Sequence, residues 1–191
     1  MTSLTFIKQF FLHPAQTGAI WPSSLELAHA ITDAAGLKEA SVIVEWGSGT
    51  GVFTEMVLQK KPQNALFFAM ELNPEFVETT QTRCPSAKIY HASATETPKY
   101  LALNNANQCD TVICGLPWAA FDESLQDVLL DALINILRPG ARFLTFAYLQ
   151  GLLLPAGRRF RKKLQSRFSH VTTTRTVWRN TPPAFVYIAT K

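Results

Sequence analysis

Apolar residues along this chain fall into two rhythms. Short β-branched and aromatic runs, the mark of buried strands, alternate with segments in which bulky residues recur every three or four positions, the mark of amphipathic helices. The runs predict strands at residues 42–46, 66–70, 88–90, 111–114, 142–148, 171–178 and 185–189. Between them the helical period predicts helices over 52–60, 74–83, 99–103, 122–137 and 155–168, with Arg138-Pro139-Gly140 closing the fourth. Earlier still, Leu4, Phe6, Ile7, Phe10 and Phe11 share one side of a helical wheel over 4–12, which His13-Pro14 ends. Ser23-Ser24-Leu25-Glu26 reads as a capping box opening a further helix that stops at Gly36.

Strand and helix in strict alternation predict a parallel sheet covered on both faces. The last two strands are too close in sequence for a crossover, so they pair antiparallel. The expected architecture is α/β and Rossmann-like: seven mostly parallel strands with an antiparallel last strand and helices on both faces. We expect one domain over 1–191, with helices in 1–36 capping a cofactor-binding core over 37–191.

Charge is unevenly distributed. Residues 1–150 sum to −5, whereas 151–191 carry nine Lys and Arg and no acid, so the net +4 comes from the end of the chain. This predicts an anionic partner on one face. Cys84, Cys109 and Cys114 form no CxxC pair and are odd in number, which speaks against a disulfide framework or zinc ribbon. His13, His29, His91 and His170 are scattered, so no metal is expected. No run reaches about twenty apolar residues, and the start lacks a signal-peptide pattern, so a cytoplasmic protein is expected.

The chemistry concentrates after the first predicted strand, in Glu45-Trp-Gly47-Ser48-Gly49-Thr-Gly51. Alternate glycines there permit a tight turn in which backbone approaches a ligand closely. Glu71 ends the next strand, 20 residues after Gly51, where a carboxylate accepts from ribose hydroxyls. These features by themselves fit an adenosine-containing cofactor, NAD included. A dinucleotide, however, sets its pyrophosphate on a helix N-terminus through GxGxxG, whereas this loop has glycines at every second position and an acid ahead of the first. An acid suits a cofactor with an ammonium and a sulfonium and no phosphate.

The loop resembles motif I of the class I S-adenosylmethionine methyltransferases. The resemblance implies that Gly47, Ser48, Gly49 and Gly51 form the cofactor loop around the methionine part, that Glu45 organises its amino end, and that Glu71 and Leu72 hold the ribose side. It further implies that Ser93 and Ala94, after the third strand, flank the adenine, with Ser93 where an Asp is common, and that Gly115 borders the cofactor. Cys114-Gly115-Leu116-Pro117-Trp118 is similar to the Asn-Leu-Pro-Tyr motif of methyltransferases that modify amino groups, with Gly115 in place of the amide.

Three further stretches look like the bacterial phospholipid N-methyltransferases, a group related to the rRNA adenine dimethyltransferases: Gln16-Thr-Gly-Ala-Ile-Trp21-Pro-Ser-Ser24, Phe143-Leu-Thr-Phe-Ala-Tyr148 and Arg179-Asn180-Thr-Pro-Pro-Ala-Phe-Val-Tyr187. The resemblance implies stepwise methylation of phosphatidylethanolamine to phosphatidylcholine. Tyr148 is then the candidate for orienting the amine, and Trp21, Leu116, Pro117, Trp118, Asn180 and Tyr187 are candidates for substrate binding. Alternatives are an rRNA adenine N6-dimethyltransferase and a small-molecule N-methyltransferase; nucleic acid is disfavoured because Gly115 replaces the amide. In Arg158–Phe168, Phe160, Leu164 and Phe168 form a narrow stripe and six basic residues cover the rest, leaving the charges in water. With Phe6, Ile7, Phe10 and Phe11 on the first helix, this predicts peripheral docking on an anionic membrane surface.

Overall fold

The computed structural model describes residues 23–191. Ser24 begins the first described helix, α1 (Leu25–Ala34), by accepting a hydrogen bond from Leu27 N at 3.1 Å. The cap therefore sits one residue later than the capping-box pattern predicts. Glu26, the box's expected partner, instead faces Arg179 at 3.7 Å.

From there strands and helices alternate. The order is β1 (Val42–Trp46), α2 (Val52–Lys60), β2 (Leu66–Glu71), α3 (Pro74–Arg83), β3 (Ile89–His91), α4 (Thr97–Leu103) and β4 (Cys109–Cys114). Then come α5 (Glu123–Ile136), β5 (Leu137–Tyr148), α6 (Pro155–Arg167), β6 (His170–Thr173) and β7 (Ala184–Thr190). The sheet has the spatial order β3-β2-β1-β4-β5-β7-β6. Strands β1 to β5 run parallel, and β7 inserts antiparallel between β5 and β6.

Period-two alternation divides the core into two layers. Val44, Trp46, Phe68, Met70, Val112 and Phe143 face a layer built with Leu125, Leu129 and Leu133 of α5 and Phe160 and Leu164 of α6. On the other face, Ile43, Phe67, Ile113, Leu144 and Val186 pack with Leu27 and Ile31 of α1 and Phe53, Met56 and Val57 of α2. Two buried faces explain why the parallel strands read as continuous apolar runs.

Two expectations need correction. The penultimate strand ends at Thr173, and what was expected to continue to Trp178 is a loop that keeps to the sheet through Thr174 and the Val177–Ala184 bridge. The reason is local: the Thr174 hydroxyl accepts from Val186 N at 3.0 Å, replacing a ladder bond with a side-chain one. Nor are all the α6 charges left in water. Glu123, Asp127 and Asp131 stand at i, i+4 and i+8 on α5 and pair with Arg159 (2.9 Å), Lys163 (2.9 Å) and Arg167 (2.8 and 3.3 Å). Half of the helix's basic face thus serves helix packing.

Candidate functional site

The carboxyl ends of β1, β2, β4 and β5 converge on one crevice, the ligand position of open α/β sheets. The loop after β1 supplies its floor. Gly47, Gly49 and Gly51 adopt φ of 76°, 54° and 81°, left-handed values that explain the alternate glycines. Neighbouring strands and helices hold this loop from outside. Gly47 N donates to Met70 O at 2.8 Å, Gly49 N to Glu71 Oε2 at 2.9 Å, and the Thr80 hydroxyl of α3 to Gly49 O at 2.8 Å. Arg83 reaches Thr50 O at 2.9 Å. Nothing in the loop's own sequence signals Thr80 or Arg83, because α3 reaches the loop only through the fold.

Glu71 is 2% exposed and has its second oxygen on Asn73 N at 2.9 Å. Burial pushes its carboxyl above the ordinary range, opposed by the backbone N–H groups of Asn73 and Gly49. Glu45 is buried completely, borders neither cavity and reaches Thr54 of α2. Its Oε2 accepts from the Thr54 hydroxyl at 2.7 Å, whereas Oε1 has no partner among the described residues. Burial raises its pKa from 4.5 to about 8, only partly offset by Thr54. It is a carboxyl held beneath the loop and short of one hydrogen-bond partner.

Two cavities flank the loop. The larger, about 260 Å³, is bordered by Gly47, Ser48, Gly49, Glu71, Gly115, Leu116, Pro117, Trp118, Tyr148 and Tyr187 among the expected residues. The smaller, about 20 Å³, is bordered by Leu72, Ser93 and Ala94. Gly47, Glu71 and Leu116 border both, so the Leu116 side chain stands between the two spaces. Gly51 is the N-cap of α2, at the far end of the loop. Ser93 is tied into a capping box with Glu96. Asn180 borders neither cavity: its Oδ1 accepts from Ser24 N at 2.9 Å and its amide donates to Pro182 O at 2.7 Å, pinning the loop before β7 to the start of α1. Trp21 lies outside the described residues.

Gly115 has a steric reason to be glycine. Its N–H donates to Trp46 O at 2.8 Å, and a Cβ there would meet Gly47 O at 2.5 Å. The amide of the Asn-Leu-Pro-Tyr motif therefore has no room on this backbone. Trp118 stacks on Phe160, centroids 4.7 Å apart, and meets Phe121 and Phe143 edge-on, so one ring face is spent on packing. Gln126 secures the loop it sits in, its amide donating to Trp118 O at 2.7 Å. A glutamine among Leu125, Leu129 and Leu130 on the buried face of a helix is the signal that could have found it. Phe53, Phe76 and Phe146 complete an aromatic wall with no Lys or Arg among the described lining residues.

Residues 43–140, more than half of the chain, match a methyltransferase domain. The chain belongs to the methyltransferase domain family. Its cofactor is S-adenosylmethionine, and the glycine cradle, the orphaned Glu45 oxygen beneath it and Glu71 at the next strand end suit that cofactor's cationic half and its ribose. The methyltransferase is similar to an ornithine lipid N-methyltransferase from Singulisphaera acidiphila, 25% identical over 185 residues that span 95% of this chain and 92% of that one. Among solved structures, its fold is that of the O-methyltransferase TomG from Streptomyces achromogenes in complex with SAM (TM-score 0.69, 18% identity, 100% of this chain and 91% of that one). An O-methyltransferase from Bacillus cereus in complex with SAH shares it too (TM-score 0.67, 12% identity, 99% and 90%).

Proposed function

We propose that this methyltransferase acts on the amine of a membrane-lipid head group, carrying phosphatidylethanolamine through its mono- and dimethyl forms toward phosphatidylcholine. The observation that carries the proposal is the larger cavity: aromatic and aliphatic walls beside the glycine loop, without a basic side chain among the described lining residues. An amine moved from water into such a space releases its proton more readily and becomes a nucleophile. The described walls of the cavity itself offer no cation to a phosphate, which favours a lipid amine over a nucleic-acid acceptor inside it. Similarity to the Singulisphaera protein favours a second acceptor, the amine of an ornithine lipid.

Bound S-adenosylmethionine supplies an electrophilic methyl on a sulfonium. In this reading Gly47, Ser48 and Gly49 cradle its methionine part, Glu45 attracts its ammonium from below, Glu71 and Leu72 take the ribose, and Ser93 and Ala94 border the adenine. The remaining task is alignment of an amine lone pair in a dry space, which is worth several kcal/mol. Tyr148 lines the cavity, and burial raises its phenol above the ordinary range, so it stays neutral and orients the amine through its oxygen rather than acting as a phenolate base. Tyr148→Phe is expected to lower turnover about tenfold while leaving the affinity for S-adenosylmethionine unchanged. Unchanged turnover would remove Tyr148 from the reaction.

The direct assay uses methyl-labelled S-adenosylmethionine with separate vesicles containing phosphatidylethanolamine or an ornithine lipid, followed by chromatography of the lipids. Label in one series identifies the acceptor. Label in neither, with cofactor binding confirmed by calorimetry, refutes the lipid reading and turns attention to RNA adenine and small amines.

A further inference from the structure

Three chain segments close around the mouth of the larger cavity. Leu149 N donates to Pro183 O at 2.8 Å, joining the turn after β5 to the loop before β7. Ser24 N donates to Asn180 Oδ1 at 2.9 Å, joining that loop to the start of α1. Ser23, Leu152 and Leu154 reach the cavity from this rim. The same three segments carry most of the large exposed apolar side chains among the described residues: Leu25 at 59%, Leu153 at 75%, Leu154 at 53% and Trp178 at 71%. Among the described residues, Leu103 and Val128 are the large exposed apolar residues away from it. Four such side chains around one opening form a patch, where single exposed apolar residues would carry no meaning.

Charge on this rim is of one dominant sign. Arg175 and Arg179 flank Trp178, and Arg158 follows Leu154, all exposed, with Glu26 the acid that faces Arg179. Arg158 donates to Leu152 O at 3.3 Å, which holds its guanidinium over the turn. An indole and leucines that enter the headgroup boundary, with arginines at phosphate depth, are the composition of an interfacial membrane anchor. Residues 1–22 precede Ser23 at this mouth and are the other candidate occupant, yet they contain no Asp or Glu to meet the arginines. An anionic bilayer meets both the apolar and the charged groups.

We infer that the rim formed by Leu25, Leu153, Leu154 and Trp178, with Arg158 and Arg175, docks on an anionic lipid bilayer so that the cavity opens directly onto the headgroup layer. This rests on the lipid reading above. The docking role falls on the loop before β7 and the turn after β5, whereas Arg159, Lys163 and Arg167 of α6 are occupied by α5.

The test uses the full chain, phosphatidylglycerol–phosphatidylcholine vesicles and a doubly substituted variant, Leu153→Ser with Trp178→Ser. Partition of the variant into vesicles is expected to fall about tenfold, because two inserting side chains are lost. Quenching of tryptophan emission by acyl-brominated lipid is expected to drop in Trp178→Phe. Variant partition equal to wild type, or a Trp178 shielded from iodide in the vesicle-free protein, would overturn the proposal; the latter would mean that residues 1–22 cover the rim. Methyl transfer to an amino lipid in detergent micelles separates the two readings. Transfer in micelles with no vesicle partition overturns the docking surface alone, while partition that depends on Trp178 supports it even where no lipid is methylated.

Discussion

Glu45→Gln is expected to gain stability relative to the wild type by on the order of 5 kcal/mol between pH 4.5 and pH 8 in the absence of cofactor. The sign follows from proton counting. In the unfolded chain the Glu45 carboxyl ionises near its ordinary 4.5, whereas the folded chain keeps the proton until about pH 8 because burial disfavours the charge. Across that window the folded state binds more protons, so wild-type stability declines as pH rises and levels off above about pH 8. Glutamine carries no proton to lose, and the titrating groups that do not interact with Glu45 cancel in the comparison, Glu71 being the carboxylate whose charge it feels. Urea unfolding of both proteins at a series of pH values measures the difference, and parallel profiles would show that Glu45 is ionised in the folded state. The cofactor adds a second signature. An ammonium and a sulfonium above the loop favour the ionised carboxylate, so S-adenosylmethionine should raise the melting temperature of the wild type more at pH 8 than at pH 6. The Gln variant should lose that dependence.

Gly115→Asn is expected to abolish measurable activity, although it supplies the amide that amino-group methyltransferases carry at the corresponding place. A Cβ at residue 115 meets Gly47 O at 2.5 Å, and both backbones are already fixed by hydrogen bonds, Gly115 N to Trp46 O and Gly47 N to Met70 O. The atom in the way is backbone and cannot rotate aside, so the loop must move. Overpacking of this kind costs about 1–3 kcal/mol of stability. The displaced carbonyl belongs to the cofactor cradle, so affinity for S-adenosylmethionine should fall at least about tenfold as well. Denaturant unfolding and calorimetry read the two effects separately. A Gly115→Asn protein with native stability and higher turnover would mean that the loop accommodates the amide and that the acceptor is held as in the Asn-Leu-Pro-Tyr enzymes.

The family connection was legible in a short stretch because its physics is local. Three positive-φ glycines after a buried strand are required by backbone geometry, and the carboxylate at the next strand end ties to that loop through Gly49 N, so both leave residues in sequence. The stripe of Phe160, Leu164 and Phe168 was legible for the same reason: period and burial are properties of one helix. The pairing of Arg159, Lys163 and Arg167 with Glu123, Asp127 and Asp131 was not, since it depends on which helix lies alongside. Trp118 shows the same division. Its motif identified the loop, but the stacking partner that takes one ring face comes from α6, some forty residues later.

By itself the sequence determined the alternation of elements, the sense of the last strand and the glycine turn after the first strand, because each follows from local propensity, periodicity or a short connection. Only the tertiary structure decided that Glu45 lies beneath the loop with one oxygen unpartnered among the described residues, that Gly115 is glycine for want of space, and that the segments carrying the exposed Leu153, Leu154 and Trp178 are joined beside one cavity. Those outcomes depend on contacts between residues far apart in the chain, where packing density and excluded volume, rather than any local preference, select the arrangement.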